Sequence, residues 1–230
     1  MPLFIYEKLR KLASDLKEAA KRDAISDIKA DYGIDIEEGP DECVEALRDS
    51  LKRMPKDLVK DCGIKTLAFK DLGPSKEYYP NHGVYCNNVL TLNSQLLNDP
   101  MLDVEPESEN SLNKFDQTLF HELGHGWDEV KGDKKGFGTE LSFKPEWTGL
   151  SGWSEQPKIG LKRIVIREAD SPELRGEWCY SPDSGFTRFY AKRNPWDDWA
   201  DSFAYYVGGL KSFLPENKIN YFEDKLGSYY

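Results

Sequence analysis

Histidine is scarce in this chain of 230 residues, with three copies at positions 82, 121 and 125. Cysteine is almost as rare. The four present (Cys43, Cys62, Cys86 and Cys179) form no Cys-x-x-Cys pair, so neither a thiolate metal cage nor a dithiol redox site is suggested. They read as buried or half-buried free thiols, able to form disulfides only in an oxidising space. Basic residues are in deficit, 31 Lys and Arg against 41 Asp and Glu for a formal net charge of -10. Such a surplus repels phosphate backbones and anionic headgroups, so neither nucleic acid nor membrane is expected as a partner. No apolar run approaches the ~18 residues of a membrane span, and the first twenty residues mix charge with leucine instead of forming a secretory signal. The expectation is a soluble protein, cytoplasmic or exported by a non-classical route. What the chain does have is 39% hydrophobic and 13% aromatic residues, over a length sufficient for a substantial core.

Hydrophobic periodicity organises the chain. Leu9, Leu12, Leu16 and Ala19 or Ala20 make a helical stripe within residues 3–30. After the turn-like DYGID, a second helix follows from Pro40 to Met54, carried by Cys43, Val44, Leu47, Leu51 and Met54, with a short continuation over Leu58–Cys62 capped by Gly63. Ile64–Phe69 reads as a strand, and Val84–Leu92 as further strand with Asn87-Asn88 as a turn or bulge. A helix begins near Asn113. Residues 131–187, rich in Gly and Trp, carry one clear strand at Ile159–Arg167 and read as an insertion. Helix resumes from Asn194 to about Phe213, and a short helix with Ile219, Phe222 and Leu226 closes the chain. The expected fold is α+β, with a helical part over 1–62 packed on a second part over 63–230.

The chemistry concentrates in TLFHELGHGWDEV. His121 and His125 stand one helical turn apart, so both rings leave the same face and can close on one tetrahedral ion. Glu122 is placed toward an open coordination position, where a carboxylate can take a proton from a zinc-bound water. Gly124 lets another backbone approach. Two histidines need a third donor, and FYAKRNPWDDWADSFAYYV offers one. Asn194 is a natural N-cap and Pro195 a natural first residue, which puts Asp197 and Asp201 one turn apart on a single face. Asp197 suits a ligand and Asp201 a partner that accepts the ring N–H of one histidine.

This pattern resembles the zincins of the gluzincin type, specifically the anthrax lethal factor and Pro-Pro endopeptidase branch. The resemblance rests on HELGH, on Tyr190 seven residues before Asp197, and on the Ala-Asp-x-Phe run at residues 200–203. It covers roughly residues 84–92, 113–130 and 186–207, under a third of the chain. It implies a small twisted sheet whose edge strand lies over the active-site helix, a C-terminal helical part carrying the third ligand, one Zn²⁺ per chain, and Tyr190 as donor to the oxyanion. The family's usual ligand is glutamate. Aspartate is a methylene shorter, so the backbone must come closer to the ion or Asp198 must serve instead. The long interval from His125 to Asp197 implies extra structure near the cleft.

The function expected is endopeptidase activity on an extended peptide bound by strand addition at Val84–Leu92, with Glu122 as general base. The alternatives are a zincin-fold structural or interaction protein without turnover, and a zinc hydrolase acting on a non-protein amide. His82 reads as a solvated loop residue. Trp147, Trp153, Tyr205 and Tyr206 read as core in preference to cleft. The sequence leaves the oligomeric state open.

Overall fold

A computed structural model describes residues 3–37, 39–73, 82–97, 112–132, 140–155, 162–166, 176–181 and 183–230. The chain opens with α1 (Leu3–Tyr32), followed by the two-residue strand β1 (Asp35–Ile36), α2 (Asp41–Leu51), α3 (Lys56–Asp61) and β2 (Thr66–Lys70). Pro40 and Pro55 stand just before α2 and α3. Gly63 leaves α3 in the left-handed region at φ 72°, as a residue without Cβ can do freely. The α1 stripe is only partly covered. Ala24, Ile28 and Tyr32 are buried against α2 and α3, whereas Leu9, Leu12 and Leu16 stay exposed.

β3 (Gly83–Cys86) and β4 (Val89–Asn93) form a hairpin, and the sheet order is β1-β2-β4-β3. β1, β2 and β4 run parallel, and β3 lies antiparallel at the edge. Asn87 and Asn88 have φ 50° and 64°, so the Asn-Asn pair is a tight hairpin turn with both residues left-handed, a geometry asparagine tolerates. β1 begins on Asp35, the last residue of the DYGID segment expected to be a turn, and went unread because two residues carry no readable period.

α4 (Lys114–Lys131) is the central helix, buried without interruption from Phe115 to Asp128. The Asn113 side chain accepts a 2.8 Å bond from the Asp116 N–H and starts it. Two glycines let neighbours press close. A Cβ at Gly126 would lie 2.3 Å from the Cys62 carbonyl oxygen, and one at Gly124 would lie 3.2 Å from the Ala200 Cα. After α5 (Pro145–Thr148) and the hairpin β5 (Lys162–Ile166) and β6 (Gly176–Tyr180), α6 (Pro195–Val207) packs along α4, and α7 (Glu216–Leu226) covers the back of α6. β5 lies within the Ile159–Arg167 strand read from the sequence; residues 159–161 and 167 lie outside the described residues, and β6 was not anticipated. Trp147, Trp199, Phe203 and Phe222 form an aromatic cluster behind α6. One hydrophobic core runs from Ala24 to Leu226. The result is an α+β fold with seven α-helices among the described residues, none long and apolar enough to cross a membrane.

Candidate metal centre

His121, His125 and Asp197 converge where α4 and α6 meet, each about 95% buried. The two histidine Nε2 atoms are 2.9 Å apart, and Asp197 Oδ1 lies 3.8 Å from one and 3.7 Å from the other. Tetrahedral donors at usual bond lengths stand about 3.3 Å apart, so these separations bracket the expected value. The α4 turn sets the histidine pair, and the α6 cap sets the acid. Asn194 accepts a 2.7 Å bond from the Asp197 N–H and its amide donates to Asp197 Oδ2 at 2.8 Å, holding that carboxylate from its rear oxygen. Gly124 allows the approach that the shorter aspartate requires.

Behind the histidines lies a polar layer. Asp201, fully buried, accepts from His121 Nδ1 at 2.7 Å, which turns Nε2 toward Asp197 and His125; burial lowers the His121 pKa, but the Asp201 carboxylate outweighs it and raises the ring above its ordinary value. Arg188 grips Asp201 with both forks, Nε to Oδ2 at 2.8 Å and Nη2 to Oδ1 at 2.6 Å. Burial works against the Asp201 charge, but Arg188 and His121 hold its carboxyl well below the usual range. Burial, joined by His121, keeps His125 neutral. Trp196 packs on the His125 ring at 3.8 Å between centroids. Two imidazoles facing a carboxylate, with the second nitrogen of one ring committed to Asp201, are a donor set that could hold a metal ion.

Glu122 follows His121 and is 93% buried. Burial first, and then Asp197, push its carboxyl up to about 7, while His121 and the Tyr85 backbone N–H pull the other way. That N–H belongs to β3. The Asn93 N–H bonds the His82 carbonyl at 2.8 Å, and bonded pairs alternate along an antiparallel ladder. Val84 and Cys86 therefore bond β4 while Gly83 and Tyr85 aim their backbone groups outward. A Cβ at Gly83 would lie 3.0 Å from Glu122 Cγ, so glycine is what lets the strand edge lie against this carboxylate. Tyr190 sits in a 3-10 turn over residues 190–192, its ring 5.6 Å from His121 and packed against Arg188 and Arg193 at 5.0 and 4.5 Å. Burial and the nearby Asp197 raise its hydroxyl well above the ordinary value, so it stays protonated.

Asp198 is turned away. Its carboxylate takes Lys218 Nζ at 2.6 Å on one oxygen, and Ser151 Oγ at 2.9 Å and Trp153 Nε1 at 3.1 Å on the other, all behind α6. It is no substitute ligand. Trp147 donates to the Pro195 carbonyl at 3.2 Å and, with Trp153 and Tyr206, is buried; Tyr205 packs against the core. The described parts of the 131–187 insertion thus brace the rear of α6. His82 departs from expectation: it is 91% buried where β3 begins, and burial, with Lys114, Arg188 and His121 nearby, lowers it to about 3. Arg188 went unforeseen, since no spacing rule ties it to Asp201; the only sequence signal was its position two residues before Tyr190. Neither protein-family models nor curated protein sequences match the chain.

Proposed function

We propose that this chain is a zinc-dependent endopeptidase of the zincin type. The observation that carries the reading is Glu122: a carboxylate held at about 7 beside two imidazole nitrogens and a carboxylate, directly beneath an outward-facing strand edge. His121, His125 and Asp197 would hold the ion, a set of two nitrogens and one oxygen that suits zinc with a position left for chemistry. Bound zinc supplies a Lewis acid that acidifies water and polarises a carbonyl.

The remaining work falls to the chain. Glu122 takes the proton of the attacking water and delivers it to the leaving amine. Tyr190, protonated at any ordinary pH, donates to the oxygen that gains charge. Asp201 and Arg188 fix the His121 tautomer and ring angle. The Gly83 N–H and the outward C=O groups of Gly83 and Tyr85 pair with an extended peptide, and side-chain pockets would set the preference along it.

The test is Glu122→Gln beside wild type, with zinc quantified and a proteome-derived peptide library digested. About one zinc per chain in both proteins, with cleavage by wild type and a loss of at least ~100-fold in the variant, is the expected result. Protein purified without chelators that carries no zinc ends the reading. Full zinc with an intact library favours a metal-stabilised structural protein, and cleavage of other amides with peptides untouched points to a different hydrolase.

A further inference from the structure

The first half of α1 leaves the body of the protein with an aliphatic face uncovered. Ile5, Leu9, Leu12 and Leu16 are 44%, 53%, 55% and 62% exposed. Their spacing of four, three and four is a heptad seam, with Leu9 and Leu16 at a positions and Ile5 and Leu12 at d positions. Four large aliphatics on one line of a charged helix exceed the scattered exposure normal for a surface.

The charges beside the seam select what covers it. Lys8, Asp15 and Arg22 occupy the g positions, and Tyr6, Ala13 and Ala20 the e positions. We propose that this face pairs with the same face of a second copy, the two helices running antiparallel about a two-fold axis. Setting Leu9 of one copy opposite Leu12 of the other gives four layers, Ile5 on Leu16, Leu9 on Leu12 and their two repeats, every one aliphatic. In antiparallel pairs g residues face g residues, so this register sets Lys8 against Asp15 twice by symmetry. Sliding one heptad in one direction sets Lys8 against Lys8. Sliding the other way sets Asp15 against Asp15 and Lys8 against Arg22. A parallel pair opposes Lys8 to Ala13 and Asp15 to Ala20, which carries no charge preference. The favoured register also ends in the right place, because Ile5 of one copy reaches Leu16 of the other and stops before residues 19–21, where the helix becomes half-buried.

Three turns of helix per copy make a small interface, roughly 1,000 Å² or less in total, at the weak end of specific contacts. The midpoint of association is expected on the order of 10 µM. Sedimentation equilibrium of the full chain from about 1 µM to about 500 µM reads it directly. Wild type should pass from monomer to dimer, and Leu12→Asp should abolish the dimer. Asp15→Lys or Lys8→Asp alone should raise the midpoint at least ~10-fold, and the two together should restore it, since the swapped charges attract again. All three positions are exposed, so circular dichroism should be unchanged in every variant. A wild type that stays monomeric to the top of the range overturns the proposal, as does a dimer that Leu12→Asp leaves intact. A dimer lost with Leu12→Asp but indifferent to both charge reversals overturns the antiparallel register.

Discussion

Asp197 and Asp198 are consecutive, both buried, and both in the first turn of α6, yet they serve opposite ends. Asp198 faces backward onto a cation the chain itself supplies, Lys218, fully buried and also bonded to the Gly185 carbonyl. Asp197 faces forward onto the imidazoles of His121 and His125, with Arg193 Nη1 3.6 Å from its rear oxygen. A buried carboxylate that meets an internal ammonium is a completed ion pair. One that meets two imidazole nitrogens forms a group that could hold a cation from outside. The helical turn divides the two roles, since neighbouring residues point about 100° apart.

Breaking the rear pair should have the largest effect. Lys218→Met leaves Asp198 buried and unpaired, and metal-free protein should lose about 3–5 kcal/mol in urea denaturation. Asp197→Ala should instead change metal-free stability little while abolishing zinc retention. If both variants lost stability equally and both kept zinc, the division between the two acids would be wrong.

Asp128 extends the comparison to a buried acid with no basic side chain among its partners. It accepts the Ser142 N–H at 2.9 Å through one oxygen, while the other has no bond. Burial, opposed by the Ser142 bonds and aided by Glu140, pushes it up to about 7. A carboxyl raised on folding means that the folded protein binds the proton more tightly. Its contribution is therefore fully present below the unfolded value near 3.8 and is lost as pH rises through about 7. Asp128→Asn should match wild type in stability near the unfolded carboxyl pKa of about 4 and exceed it by on the order of 3 kcal/mol at about pH 8. Equal urea midpoints for the two proteins at pH 8 would contradict this.

The smallest effect sharpens the forward side. Asp201→Asn keeps the shape but gives up the charge that fixes His121, and should weaken zinc binding about 10- to 100-fold in competition with a chromogenic chelator. Arg188→Ala should act in the same direction through Asp201. Unchanged affinity in both variants would make Asp201 and Arg188 packing groups only.

The forward side was far more legible in the sequence than the rear. His121, Glu122 and His125 share one helical turn, and Asn194 and Pro195 announce the start of the helix that carries Asp197 and Asp201, so spacing alone aligns them. Spacing left Asp197 and Asp198 undecided, because the choice depends on Lys218, Ser151 and Trp153, which reach α6 from distant parts of the chain. Arg188 and the burial of His82 were hidden for the same reason. Amphipathic stripes located the helices well but gave no account of what covers them: the α1 stripe reads as one face, and only its Ala24, Ile28 and Tyr32 end is buried. β1 was lost to its two-residue length.

The outward edge of β3 also bears on how the protein behaves when concentrated. An unpaired strand edge is a template for any extended chain, including a misfolded copy of the same protein. Among the described residues β3 pairs only with β4, and it is four residues long. Only Gly83 and Tyr85 present backbone groups outward, and the Tyr85 N–H is already engaged by Glu122. So short an edge offers too few rungs to hold a strand without help from side chains. The same brevity guards against fibrous growth.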